Sequence, residues 1–435
     1  MTAARGRRPH GPAYVAAHAL LPGGPARDVL VEVAGDRIAA VRPGAAAPPD
    51  AIRLPGVLLP GLANAHSHAF HRALRGRTGH VGGDFWTWRD AMYAVAQRLD
   101  PDRYLELATA VYAEMALAGI TCVGEFHYLH DDPDGRPYAE PGAMGDALIE
   151  AAGRVGIRIT LLDTLYLTAT VAGDPLDGVQ RRFHGGGLDG WRERRAAAVP
   201  PHARRGAAIH SVRAVPASLL PEVRAAVRGP LHVHLSEQPA ENAACLAAYG
   251  MTPAALLAAH GLLDLDTTAV HATHLTPGDV GLLGAARAGV CLCPTTEREL
   301  ADGIGPGREL AAAGALLSLG SDSHTEIDLF AEARGVEQHE RLRTLARGHF
   351  APRELLAAAT VTGHAACGWP DVGRIAVGQR ADLVAVALDT PRTAGVDPAG
   401  ILAAATAADV VATVCGGRLL DRGTLLAYVR RGWRP

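Results

Sequence analysis

Histidine and acidic residues recur at one kind of place in this chain, the downstream end of an apolar run. His66-Ser67-His68 ends one run, His234 a second, His271 a third and Asp322 a fourth. Imidazoles at i and i+2 on an extended strand point to the same side, so His66 and His68 can bind one ion together. With His234 and Asp322 they make three imidazoles and one carboxylate. That set suits one divalent ion, Zn²⁺ first and Fe²⁺ second, and leaves a position for water. A lone histidine is more often a satisfied core or surface group. Five such residues at four strand ends point to a single site.

Such a site needs a scaffold that delivers strand ends to one mouth. Between Pro60 and about residue 365, strand-like runs alternate with helix-like Ala/Leu/Arg stretches. The expected strands are 57–65, 121–128, 158–167, 207–215, 231–236, 268–274, 290–295 and 315–321. Helices are expected over 104–118, 143–155, 240–248 and 329–346, with Gly119 and Gly156 placed for left-handed caps. Eight apolar runs, each followed by a helix, predict an α/β fold, the (β/α)₈ TIM barrel, whose active site lies at the carboxyl ends of its strands. Residues 12–56 and 373–430 read instead as short strands and turns. Neither half can close a sandwich alone, so residues 1–58 and 370–435 are expected to pair as one small discontinuous β-sandwich domain, with the barrel over 59–369. The segment 131–141, rich in Asp, Pro and Gly, is expected to be a mobile cover.

Composition narrows the function. The 435 residues carry a net charge of −3, which gives no electrostatic footprint for nucleic acid or an anionic membrane. No apolar run reaches the length that spans a bilayer. The six cysteines form no disulfide framework, and a cytoplasmic location is expected. Cys291 and Cys293 alternate on a strand and lack the second pair that a zinc site would need. There is no lysine; all 42 basic residues are arginine.

The stretch Leu59-Pro60-Gly61-Leu62-Ala63-Asn64-Ala65-His66-Ser67-His68 resembles the first-strand motif of the amidohydrolase superfamily. His234-Leu-Ser-Glu237 is similar to the HxxE motif of its deaminase branch, and Ser321-Asp322-Ser323 to its strand-8 motif. The resemblance covers almost the whole chain. It implies a single metal on His66, His68, His234 and Asp322, with Glu237 as a proton shuttle. Binuclear relatives commonly bridge two metals with a carboxylated lysine, which this chain cannot supply.

Finer motifs point to one group. His68-Ala-Phe-His-Arg72, Phe85-Trp-Thr-Trp-Arg89, Glu125-Phe-His-Tyr128-Leu-His130 and His210-Ser-Val-Arg213 resemble the N-formimino-L-glutamate deiminases of histidine degradation. The substrate-side positions would be His71, Arg89, Tyr128, His210 and Arg213; His71 stands where many relatives carry glutamine. The implied substrate is a small dicarboxylate with an amidine head, and Arg89 and Arg213 offer planar forks for its carboxylates. In the implied reaction His271 or Asp322 takes a proton from water and Glu237 passes protons to the leaving nitrogen. The competing readings are a deaminase of guanine or another heterocycle on the same site, and an inactive scaffold barrel. Low aromatic content, 5%, weighs mildly against a purine pocket. A homodimer is an open expectation.

Overall fold

The computed structural model describes residues 11–79 and 85–432. The chain opens with strands β1 (Ala13–Leu21), β2 (Gly24–Ala34), β3 (Arg37–Pro43) and β4 (Ile52–Pro60). Then come β5 (Leu62–Ser67), β6 (Ile120–His127), β7 (Arg158–Leu165), β8 (Ala203–Ile209), β9 (Leu231–Leu235), β10 (Thr267–His271), β11 (Gly289–Leu292) and β12 (Leu316–Leu319). The last three are β13 (Leu383–Val386), β14 (Val410–Cys415) and β15 (Arg418–Leu419).

Strands β5 to β12 form one parallel sheet in sequence order, the expected barrel, with helices between them. The remaining seven form a mixed sheet in the order β15-β14-β13-β4-β1-β2-β3, so both ends of the chain build it together. Its own core gathers Tyr14, Val29, Val31, Ile38, Leu58, Leu383 and Val414. A buried pair ties this sheet to the barrel: Arg158 donates to both carboxylate oxygens of Asp382, at 3.1 and 2.9 Å. No single helix among the described residues is long and apolar enough to cross a membrane.

Several element limits differ from the sequence reading, each for a local reason. The single run 57–65 is two strands, β4 in the small sheet and β5 in the barrel. The break falls at Gly61, whose amide turns to Asp382 O and where an added Cβ would come within 2.4 Å of Thr121 Oγ1. Strand β8 stops at Ile209 because Ser211 to Ala214 closes a turn, Ala214 N donating to Ser211 O at 3.1 Å. After β11, Pro294 opens the helix Pro294–Glu299 where the strand was expected to continue. The segment carrying Arg89, outside the expected helices, is the helix Phe85–Ala96. Gly119 and Gly156 do take left-handed φ, +85° and +89°.

The barrel closes between β5 and β12 by a narrow seam. Its backbone bonds are Asp322 N to His66 O, 3.0 Å, and His68 N to Asp322 O, 3.2 Å. Below them the Asn64 amide accepts from Ser321 N at 2.9 Å and donates to Ser321 Oγ at 2.7 Å. The strands approach so closely that a Cβ on Gly320 would lie 2.8 Å from His66 Cβ.

Candidate metal centre and substrate cleft

His66 and His68 leave the end of β5, His234 lies in β9, and Asp322 follows β12. The barrel brings all four to one point. His66 Nε2 and His68 Nε2 lie 3.1 and 3.3 Å from Asp322 Oδ1, and His234 Nε2 lies 3.2 and 3.3 Å from the same two nitrogens. His68 Nδ1 donates to Phe126 O and His234 Nδ1 to His210 O, each at 2.9 Å. A carbonyl can only accept, so both rings carry their proton on Nδ1 and expose a bare Nε2 lone pair. Burial pushes the pKa of both imidazoles well below the ordinary histidine range, which keeps them neutral.

Bare lone pairs that close repel unless a cation lies between them. In a tetrahedral site with bonds of about 2.0–2.1 Å, ligand atoms stand roughly 3.3–3.4 Å apart. The observed spacings of 3.1–3.3 Å match that edge. The donor set therefore fits one divalent ion. Asp322 keeps its negative charge despite burial, because His66, His271 and His68 hold its pKa well below the carboxylate range.

The strand ends here are bent out of ordinary backbone geometry. Ser236, His271 and Asp322 take φ of +52°, +67° and +39°, a left-handed region costing on the order of 1–3 kcal/mol per non-glycine residue. That bend turns side chains into the barrel mouth. Behind the ligands, Ser67 Oγ donates to Glu125 Oε2 at 2.6 Å and sits 3.0 Å from His324 Nε2. His324 Nδ1 lies 2.9 Å from Ser321 Oγ. This buried chain packs the ligand-bearing strand ends from beneath and was not singled out in the sequence, although Glu125 and Ser67 lie inside motifs that were.

A narrow cleft opens above the four donors. His71, Arg89, Tyr128, His210 and Arg213 all line it, together with Glu237, His271 and Asp322. His66 lies on its buried floor. Arg213 is engaged by no salt bridge or side-chain hydrogen bond among the described residues. Burial opposes its charge, and Tyr166, Glu241 and Glu237 nearby more than offset that. His71 is buried and neutral. Burial holds its pKa down at about 3, and its Nε2 lies 3.0 Å from the Tyr128 hydroxyl. His127 and His130 lie outside the cleft, stacked edge to face with each other.

Around Glu237 and His271 the sequence reading missed two acids. His271 Nε2 lies 3.7 Å from Glu237 Oε1 and 4.0 Å from Asp322 Oδ2, while its Nδ1 faces Glu297 Oε1 at 3.5 Å. Asp302 is the second. Burial raises the Glu237 carboxyl above its usual range, and Asp322 adds to this against the pull of His271 and Arg213. Burial disfavours charge on His271, but Glu237, Glu297 and Asp322 together raise its pKa well above the ordinary value. Glu297 lies in the short polar helix Pro294–Glu299 and Asp302 just after it, where no periodic or apolar pattern singles out either acid.

Five aromatic side chains, Trp88, Tyr93, Tyr128, Tyr166 and Phe183, line the same cleft. The low overall aromatic content thus says little about the pocket, because the chain concentrates its rings there.

Residues 57–420 match the amidohydrolase family, and residues 14–53 match the N-terminal domain of formimidoylglutamate deiminase HutF. A formimidoylglutamate deiminase from Pseudomonas aeruginosa is 38% identical over 406 residues, covering 90% of this chain and 89% of that one. The chain belongs to the amidohydrolase family, within its formimidoylglutamate deiminase group. Among solved amidohydrolases, one from Brucella melitensis superposes with a TM-score of 0.86 at 32% identity, over 97% of this chain and 98% of its own. An adenosine deaminase from Xanthomonas campestris with bound zinc gives 0.81 at 25% identity, over 97% of each chain.

Proposed function

We propose that this chain hydrolyses N-formimino-L-glutamate to N-formyl-L-glutamate and ammonia, a step of histidine degradation. The observation that carries the reading is Arg213, a guanidinium lining the cleft that makes no salt bridge or side-chain hydrogen bond among the described residues. A desolvated cation of that kind is matched by an anionic group on the substrate. Arg89 lines the same cleft from a different element, the helix Phe85–Ala96, so a dicarboxylate can be held at two points. His210 and Tyr128 complete the polar wall.

His66, His68, His234 and Asp322 would hold a divalent ion, which would supply a Lewis acid and a water acidic enough to react near neutral pH. Zinc is favoured, and its presence in the adenosine deaminase relative supports that choice. His271 or Asp322, 4.0 Å apart, takes the proton of the attacking water. Glu237, 3.7 Å from His271, carries protons to the amidine nitrogen. Water's oxygen becomes the formyl oxygen, the C–N bond to the terminal nitrogen breaks, and that nitrogen leaves as ammonia.

The aromatic lining gives a second reading a footing, deamination of a purine-like heterocycle stacked between rings. One panel separates the two: ammonia release by metal-replete enzyme from formimino-glutamate, formimino-glycine and purines. Each charge-assisted contact contributes about 1.5–3 kcal/mol, so formimino-glutamate should exceed formimino-glycine by at least roughly tenfold in kcat/KM. Arg213→Met narrows that gap if Arg213 holds the side-chain carboxylate; Arg89→Met tests the converse assignment. Preference for a purine over both formimino compounds would remove the proposal and leave the metal hydrolase.

A further inference from the structure

We propose that Glu237, His271 and Asp302 form a second, weaker divalent-cation site beside the metal centre, at which excess zinc shuts the enzyme down. One donor atom from each of the three lies within 4.8 Å of the others. Two carboxylates and an imidazole are a donor set that zinc accepts.

Asp302 gives this cluster a second, separate line of support. Its side chain is buried, only 3% exposed. Gln238 Nε2 donates to Oδ1, whereas Oδ2 is buried with no hydrogen-bond partner among the described residues. Buried polar atoms are almost always satisfied, and an exception marks the place of a missing partner such as an ion or a water. Asp302 does not line the substrate cleft, so the substrate is not that partner. An ion is small enough to sit between it, His271 and Glu237.

The site is weaker than the first for two reasons. It offers one imidazole where the first offers three, and it lies against the first ion, since His271 Nε2 is 4.0 Å from Asp322 Oδ2. Two cations held in adjoining sites would repel each other within a dry environment. Zinc therefore fills the four-donor centre first and this one only in excess. Occupation engages Glu237 and His271, which the proposed reaction uses to move protons, so the inhibition rests on that reading while the binding does not.

Equilibrium dialysis of protein already holding one zinc equivalent, against rising ZnCl₂, tests the binding directly. A second equivalent is expected in the wild type, with ammonia release falling at the same free zinc concentration. Asp302→Asn and Asp302→Ala should keep the first equivalent, which also reports that they fold. Both should bind the second at least about tenfold more weakly, since even outer-shell losses weaken metal affinity by 10–100-fold. Absence of a second equivalent in the wild type, or its persistence unchanged in both variants, overturns the proposal. If the enzyme proves inactive on formimino-glutamate, dialysis still reads the site, so the two ideas fail separately.

Discussion

Exchanging Glu237 for Gln is expected to lower kcat by roughly 10²–10⁴-fold, the usual contribution of a positioned acid–base group, with the metal retained. The amide keeps the size and much of the hydrogen bonding of the carboxylate and loses only its ability to carry a proton. Glu237 follows the bent backbone at Ser236 rather than joining the four close donors, so its loss leaves their geometry intact. KM should change little, because the substrate's carboxylates are held elsewhere. Metal analysis beside steady-state kinetics decides the matter. If Glu237→Gln lost its metal and kept its turnover per bound ion, the residue would be a ligand and the assigned role wrong.

Replacing a donor should have the opposite signature. In Asp322→Asn or His234→Ala, bound metal and turnover are expected to vanish together. Loss of an outer-shell partner already weakens metal affinity by about 10–100-fold, and loss of a ligand should exceed that. Asp322 carries the larger consequence. Its carboxylate is the single negative charge among the four donors, and without it three bare imidazole nitrogens face one another. Full occupancy with normal rates in either variant would sink the metal assignment.

The reach of sequence reasoning is clearest at the strand ends. His66, His68, His234, His271 and Asp322 were legible because β-strand periodicity and barrel geometry act together, the first fixing direction and the second destination. Arg213 and His210 were found through a motif, but their presentation depends on the turn after Ile209, which apolar runs cannot locate. The helix Phe85–Ala96 was not among the expected helices. It places Trp88, Arg89, Met92 and Tyr93 on one face, so the pattern of its apolar residues serves the cleft and not a core alone. Glu297 and Asp302 escaped because their significance is purely spatial; each matters through His271, some thirty residues away in sequence. His71 was legible as a cleft residue and misleading in chemistry, since burial removes the charge that its residue type suggests.

The seam between β5 and β12 has a consequence for how the molecule assembles. Ser67 and Asp322 lie more than half the chain apart, and their bridge closes the longest loop in the barrel. Such closure carries a large entropic cost and comes late when contacts near in sequence can form first. Its backbone bonds flank His66, His68 and Asp322, three of the four candidate donors, so an ion bound there would act as a clasp on the ring's last joint. Stripping the metal should unfasten this joint ahead of the other strand pairs, with amide exchange at His68 and Asp322 quickening first. Activity and ring closure are thus expected to be linked, with the free energy of ion binding contributing to both.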